Sequence, residues 1–234
     1  MPILVRCLAC FAIGSVPFAV FSMLGTGIDI RKVGSGNPGF NNVLRVDKRR
    51  AVLALIGDMG KGYVAVWLVW RLFPVPSIPH NLDLVALGWI YGFAAVLGHC
   101  YSPFLKFNGG KGIATSGGVM LGLYPRWAVI ALVYFSLARI VLGKRKVREA
   151  GTIASLTTWL LFTILMLSFA GQQDTYYALV MTMFLIGRHK KNLAALLSTP
   201  ATGIEDQTPA VKAMDTREAA ASQLGTAEKT CRNR

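Results

Sequence analysis

Residues 84–104 read LVALGWIYGFAAVLGHCYSPF, a run without a single Asp, Glu, Lys or Arg. About 20 predominantly apolar residues cross roughly 30 Å of hydrocarbon as a helix, and a helix satisfies its own backbone polar groups in lipid. The run therefore predicts a membrane crossing. Reading outward from it, apolar stretches bounded by charges, Gly and Pro predict further helices over 3–24, 51–73, 113–123, 127–142, 152–169 and 176–186. The segments 113–123 and 127–142 are separated only by Tyr124, Pro125 and Arg126. A proline there either kinks one long helix or turns two short ones, so five to seven crossings are open. The fold class expected is all-α: a polytopic integral membrane protein of about seven helices.

Composition agrees. Of 234 residues, 53% are apolar and only 15% charged, and the mean hydropathy is +0.48; an ordinary soluble domain carries about a quarter of its residues charged. The net charge of +14 and pI near 10.0 would raise nucleic acid as a partner of a soluble protein. In a membrane protein, basic loops fix topology and meet anionic headgroups, and no nucleic acid is expected. Cys7, Cys10, Cys100 and Cys231 are too scattered for a disulfide framework or a zinc site. The apolar start, which carries Arg6, lacks a small-residue cleavage pattern and reads as an uncleaved first helix.

With seven crossings, the cations fall on one side. Arg31, Lys32, Arg45, Lys48, Arg49 and Arg50 share it with Lys106 and Lys111, with Lys144, Arg145, Lys146 and Arg148, and with Arg188, Lys190 and Lys191. The opposite loops hold little beyond Arg71 and Arg126. This bias places the N-terminus outside and the C-terminus in the cytoplasm. Residues 1–197 form the expected membrane domain, and 198–234, rich in Ala, Thr, Glu, Lys and Gln, a mostly disordered cytoplasmic tail.

Three segments of the basic side combine small residues, amides and cations. In the first, Gly34 to Arg45, glycines admit close backbone approach, Ser35, Asn37 and Asn42 donate hydrogen bonds, and Arg45 offers a fork that matches phosphate. The alternative is a plain turn with a topogenic arginine. In the second, Lys106 to Gly118, the Gly109-Gly110-Lys111-Gly112 turn opens a helix whose N–H groups and dipole favour an anion. It lacks the Walker A pattern, and a flexible hairpin is the alternative. In the third, the cations of Arg188-His189-Lys190-Lys191-Asn192 complement a helix C-terminus. His189 and Asn192, three residues apart, share a helix face and can meet one polar ligand. Within the membrane, Asp58 and Lys61 lie one turn apart and pair, as structure first and as part of a site second. His99 serves either a backbone carbonyl or the chemistry.

Taken together and in order, these segments resemble the acyl-phosphate-dependent glycerol-3-phosphate acyltransferases of bacteria, the PlsY family, over nearly everything from Gly14 to Asn192. The marks are Gly14-Ser15-Val16-Pro17-Phe18, Ser35-Gly36-Asn37-Pro38-Gly39 with Asn42 and Arg45, Asp58 with Lys61-Gly62, and Gly98-His99. They continue with Pro103 to Thr115, whose core is Lys106-Phe107-Asn108-Gly109-Gly110-Lys111-Gly112, and Arg188-His189 with Asn192. The resemblance implies a seven-helix enzyme of the bacterial inner membrane with its site on the cytoplasmic face. The implied reaction moves a fatty acyl group from acyl phosphate to the 1-hydroxyl of glycerol 3-phosphate, with neither metal nor other cofactor. Its partners would be those two substrates, membrane lipid, and a soluble enzyme that makes acyl phosphate.

By the same resemblance Ser35, Arg45 and Lys111, helped by Lys106, bind phosphate, and His189 and Asn192 line the glycerol end. Asn37, Gly39, Asn42, Gly109, Gly110 and Gly112 complete the implied phosphate set, with Asp58, Lys61 and His99 in support. The rival H-x4-D acyltransferase pattern is absent after His80, His99 and His189. Two departures stand out. Asn192 runs on into Leu193-Ala194-Ala195-Leu196 where the family usually has Arg-Leu and a close Gly-x-Glu, the nearest match being Gly203-Ile204-Glu205; and the hairpin from Arg148 to Ser155 has no clear counterpart of the family's serine, with Thr152 and Ser155 both open. An organophosphate transporter is the alternative class, disfavoured because most cations lie in loops rather than at the midplane, and a diverged acyltransferase is a third.

Overall fold

The computed structural model describes residues 3–72 and 84–198, with 68–72 as backbone only. Among them the chain is helical throughout, without a strand. The helices are α1 (Ile3–Ser15), α2 (Phe18–Phe21), α3 (Phe40–Val46), α4 (Lys48–Leu72), α5 (Leu84–Cys100), α6 (Ile113–Leu123), α7 (Pro125–Lys144), α8 (Ala150–Phe169), α9 (Gln172–Arg188) and α10 (Lys190–Leu197). A 3₁₀ turn covers Pro103–Leu105. The expected tail, with Glu205, lies outside the described residues.

Among the described residues four stretches are long and apolar enough to cross a membrane: Ile3–Phe21, Leu84–Leu105, Pro125–Lys144 and Ala150–Phe169. Large apolar side chains such as Leu4, Ile56, Val133, Leu137, Leu160 and Leu167 stand exposed on the outside, a surface suited to lipid and unfavourable in water. The interior is built around Trp89, Val119, Trp159, Phe162 and Met181. The indole N–H groups of its tryptophans are satisfied, Trp159 donating to Ser116 Oγ at 3.0 Å and Trp89 to Asp174 at 3.2 Å.

The first predicted helix does not run unbroken over 3–24. Pro17 interrupts it after Ser15, because proline removes a donor and clashes with the preceding turn. The carbonyls thus freed find donors elsewhere: Ser102 Oγ donates to Ser15 O at 2.6 Å and Lys61 Nζ to Val16 O at 2.8 Å. At the other ambiguous proline the chain makes two helices, with Tyr124 closing α6 and Pro125 at the first position of α7, where its missing N–H costs nothing. Unforeseen are the short α10 and α3, the latter cut from α4 by Asp47. The Asp47 carboxylate accepts the backbone N–H groups of Arg49 and Arg50 at 2.8 and 3.0 Å, capping α4.

Two helix pairs touch backbone to backbone. A Cβ on Gly14 would fall 2.0 Å from the Ala95 carbonyl oxygen, and one on Gly98 2.1 Å from that of Phe11, which fixes α1 against α5. Gly62 and Gly118 do the same for α4 and α6, at 2.0 Å from Thr115 O and 1.8 Å from Met59 O. Where lipid supplies no hydrophobic drive between helices, such close small-residue contacts supply the packing.

Candidate functional site

The three basic-side loops meet at one cavity of about 740 Å³, to which α3, α4, α6, α7, α8 and the start of α10 contribute. Its wall includes Ser35, Asn37, Gly39, Asn42 and Arg45 from the first loop and α3, Lys111 and Gly112 from the second, and His189 and Asn192 from the third. Asp58 and His99 reach it from α4 and α5. Four residues singled out in the sequence do not: Lys61, Lys106, Gly109 and Gly110 lie outside this wall.

The first loop owes its shape to Asn42. Its amide donates to Ile30 O and Val33 O at 2.9 and 3.0 Å, and its carbonyl accepts Ser35 N–H at 3.0 Å. Both donors are spent on backbone, so Asn42 holds the loop rather than offering an N–H to a ligand. Gly34 and Gly36 take positive φ angles of 56° and 67°, and a Cβ on Gly34 would meet Asn42 Oδ1 at 2.4 Å. The result presents the Ser35 hydroxyl and the exposed Arg45 guanidinium at the cavity.

The glycine-rich loop is similarly divided. Gly109 N–H donates to Cys100 O at 3.1 Å and Gly110 N–H to His99 O at 3.2 Å, so these two amides fold the loop onto the end of α5 and are not free for phosphate. A Cβ on either glycine would collide with His99, at 2.0 Å from its carbonyl for Gly109 and 2.1 Å from its ring for Gly110. Arg188 locks the same turn from α9, donating to Gly110 O at 2.9 Å and to Cys100 O at 3.3 Å while its guanidinium lies 4.8 Å from the Tyr101 ring centroid. What remains for a ligand is Lys111 and the first turn of α6, preceded by its N-cap Gly112 with φ 92°; the N–H groups of that turn have no partner within the helix. Lys106, in a left-handed conformation with φ 51°, is exposed and lies outside the cavity wall.

Lys111 Nζ donates to Asn192 Oδ1, Asn192 Nδ2 donates to Glu149 Oε2, and Thr152 Oγ1 donates to the same carboxylate oxygen at 2.9 Å. Burial lowers the Lys111 pKa; the Glu149 carboxylate opposes this, and the charges of Arg45 and Arg188 add to it. Glu149 heads α8 with φ 55°, a strained conformation for a residue with a Cβ. It was not legible as a site residue, because its partner Asn192 lies 43 positions away and a lone acid in a basic hairpin reads as surface. Of the two candidates for the hairpin hydroxyl, Thr152 bonds Glu149, whereas Ser155 donates to Gly151 O within its own helix at 2.7 Å; both line the cavity.

His189 sits at the junction of α9 and α10, not within a single helix face shared with Asn192, yet both side chains reach the cavity. Its Nδ1 lies 2.8 Å from Leu185 O. A carbonyl only accepts, so the proton is on Nδ1 and the Nε2 lone pair is free. Burial first, then the charges of Lys111 and Arg188, push the ring down to about 4, against the pull of the Leu185 carbonyl and Glu149. At neutral pH it is an uncharged acceptor.

Behind the cavity Asp58, Lys61 and His99 close on one another. Lys61 Nζ lies 2.8 Å and His99 Nδ1 3.5 Å from Asp58 Oδ1, and the void that they border with Ser15, Pro17, Ser102 and Gly110 is only about 10 Å³.

A family model described as glycerol-3-phosphate acyltransferase matches residues 4–199. A glycerol-3-phosphate acyltransferase of Burkholderia multivorans is 36% identical over 222 residues, covering 90% of this chain and 94% of that one. The crystal structure of PlsY, an integral membrane glycerol 3-phosphate acyltransferase, superposes in its glycerol 3-phosphate form with a TM-score of 0.68 and 29% identity, covering 83% of this chain and 92% of the other. In its lysophosphatidic acid form the TM-score is 0.67 at 28% identity, with coverage of 83% and 91%. Fold and cavity together define a helical membrane protein with a cation-lined interior site. The chain belongs to the glycerol-3-phosphate acyltransferase family, the PlsY type.

Proposed function

We propose that the protein transfers a fatty acyl group from acyl phosphate to the 1-hydroxyl of glycerol 3-phosphate, yielding lysophosphatidic acid and inorganic phosphate. The observation that carries this reading is the convergence of Ser35, Arg45, Lys111, His189 and Asn192, drawn from three distant loops, on one cavity. A volume of about 740 Å³ is in the range that holds a drug-sized ligand, room for glycerol 3-phosphate beside the head of a lipid donor. Similarity to structures whose own descriptions name glycerol 3-phosphate and lysophosphatidic acid supports the choice of acceptor and product.

Acyl phosphate is an activated mixed anhydride, so positioning and charge stabilisation suffice and no covalent nucleophile is required. Arg45 and Ser35 hold the acceptor's phosphate, and Lys111 with the first turn of α6 faces the charge that develops as the carbonyl is attacked. The acceptor oxygen bonds to the acyl carbon, the bond from that carbon to the phosphate oxygen breaks, and the electron pair leaves with phosphate. His189 Nε2 accepts the hydrogen bond of the attacking hydroxyl and so aims its lone pair. A ring held near 4 keeps a proton poorly, whereas the oxygen freed as phosphate leaves carries the departing electron pair and is far more basic, so the proton departs on the phosphate.

The apolar lining, Leu55, Met59, Leu132 and Phe135, suits an acyl chain reached from the membrane. In the same reading the four long spans are joined by α4, α6 and α9 as seven crossings of the bacterial inner membrane. The N-terminus is outside, the site and the tail 198–234 are cytoplasmic, and a soluble enzyme supplies acyl phosphate from that side. Purified protein in phospholipid vesicles, given acyl phosphate and labelled glycerol 3-phosphate, is expected to form lysophosphatidic acid, with acyl-CoA inert beside it. Product from acyl-CoA alone, or unchanged glycerol 3-phosphate accumulating inside sealed vesicles, would refute the assignment.

A further inference from the structure

Of the four long apolar spans α7 is the least buried, with Val133, Leu137 and Val141 turned outward. Its other face is different. Leu132, Phe135, Arg139 and Gly143 recur at helical spacing along one stripe, and all four line the cavity. Arg139 is thus a permanent cation inside a span, a costly placement that calls for a partner. Among the described residues it has neither ion pair nor hydrogen bond, and its Nε is shielded from solvent with no acceptor. Lys111, by contrast, is held by Asn192. A guanidinium nitrogen shielded from water and left without an acceptor is destabilising, so an anion from outside the chain is the simplest explanation.

The stripe also says what kind of anion. It is apolar at Leu132 and Phe135 and cationic one turn on, in the order of a fatty chain ending in a phosphorylated head. Arg139 lies roughly 7 Å along the axis from the end of α7, at 1.5 Å per residue. That is the end adjoining the hairpin that carries Glu149. Two phosphorylated reactants repel each other and need separate anchors, and a guanidinium offers phosphate a paired set of donors. We propose that Arg139 binds the phosphate of the acyl donor, with the donor's chain lying along Leu132 and Phe135, while Arg45 serves the acceptor. The assignment rests on the acyl-transfer reading above and adds to it a residue on the lipid-facing helix.

The test separates the two substrates. Arg139→Met is expected to raise the KM for acyl phosphate about tenfold or more, to leave the KM for glycerol 3-phosphate within about twofold, and to recover in part as Arg139→Lys. A second measurement does not need turnover: a non-hydrolysable acyl phosphonate should raise the melting temperature of the native protein and lose that effect in Arg139→Met, while glycerol 3-phosphate stabilises both. Inorganic phosphate should protect the native protein far less than the phosphonate, because it lacks the chain. If Arg139→Met does not fold, Arg139→Gln carries the same comparison. An unchanged donor KM, both KM values moving together, or equal protection by inorganic phosphate overturns the proposal. Native protein that makes no product from acyl phosphate removes the underlying reading as well, whereas normal native turnover with an indifferent Arg139 variant removes this proposal alone.

Discussion

Asp58 and His99 stand between two polar regions that use the same residue types to opposite ends. On one side, with Lys61, Ser15 and Ser102, charge meets charge and carbonyl meets donor until only about 10 Å³ is left. On the other, Arg45, Lys111, Arg139 and His189 surround about 740 Å³ with donors and a lone pair to spare. The first region pairs its charges within the chain and holds the Pro17 break, the glycine loop and α4 together. The second is incomplete without a ligand. Charge pairing and tight closure, more than residue type, separate scaffold from site.

The largest effect that can break this contrast is expected at Asp58. Asp58→Ala leaves Lys61 buried without its carboxylate, and removing one partner of a buried pair costs about 3–5 kcal/mol. The detergent-solubilised protein should melt markedly lower; a melting temperature equal to the native one would mean that the cluster is not structural. Next comes Lys111→Ala, expected to lower kcat/KM by about 10²–10³-fold with the melting temperature little changed, the size of losing one charge-stabilising donor. A fall in melting temperature matching that at Asp58 would erase the distinction between the regions.

The buried ring of His189 gives a pH signature of its own. Its folded pKa near 4 is below the usual His value of about 6.5, so the folded state favours the neutral ring. That contribution is complete above pH ~6.5 and is lost as pH falls from there toward 4, a span on the order of 3 kcal/mol. Denaturation curves of native protein and His189→Gln between pH 7 and 4 should converge on acidification; parallel curves would contradict a buried neutral ring. Smallest of all, Lys106→Ala, outside the cavity wall, should change kcat/KM by less than about twofold.

The helices were legible because lipid demands long apolar runs, and the sequence boundaries of α6 and α8 agree closely with the structure. The short α3 was not, since FNNVLRV carries two amides and an arginine and gains its place from Asn42 bonding the preceding loop. The site residues announced themselves where glycine, amide and cation lie together in sequence. Their division of labour did not: whether an amide of Gly109 or Asn42 is spent on backbone depends on chain segments brought up by folding. Glu149 and Arg139 had no local signal at all. One needs Asn192 to acquire a role, and the other reads as an interface anchor until its helix face is known.

The bare glycine contacts between α1 and α5 and between α4 and α6 bear on how a mutational survey of this protein would sort itself. At Gly14, Gly62, Gly98 and Gly118 even a methyl group meets main chain. Variants there should vanish from the membrane fraction, whatever their intrinsic chemistry. Variants of Arg45 or Lys111 should be abundant and silent. Scoring protein level and growth side by side would therefore sketch the architecture and the reaction as two separate maps of one sequence.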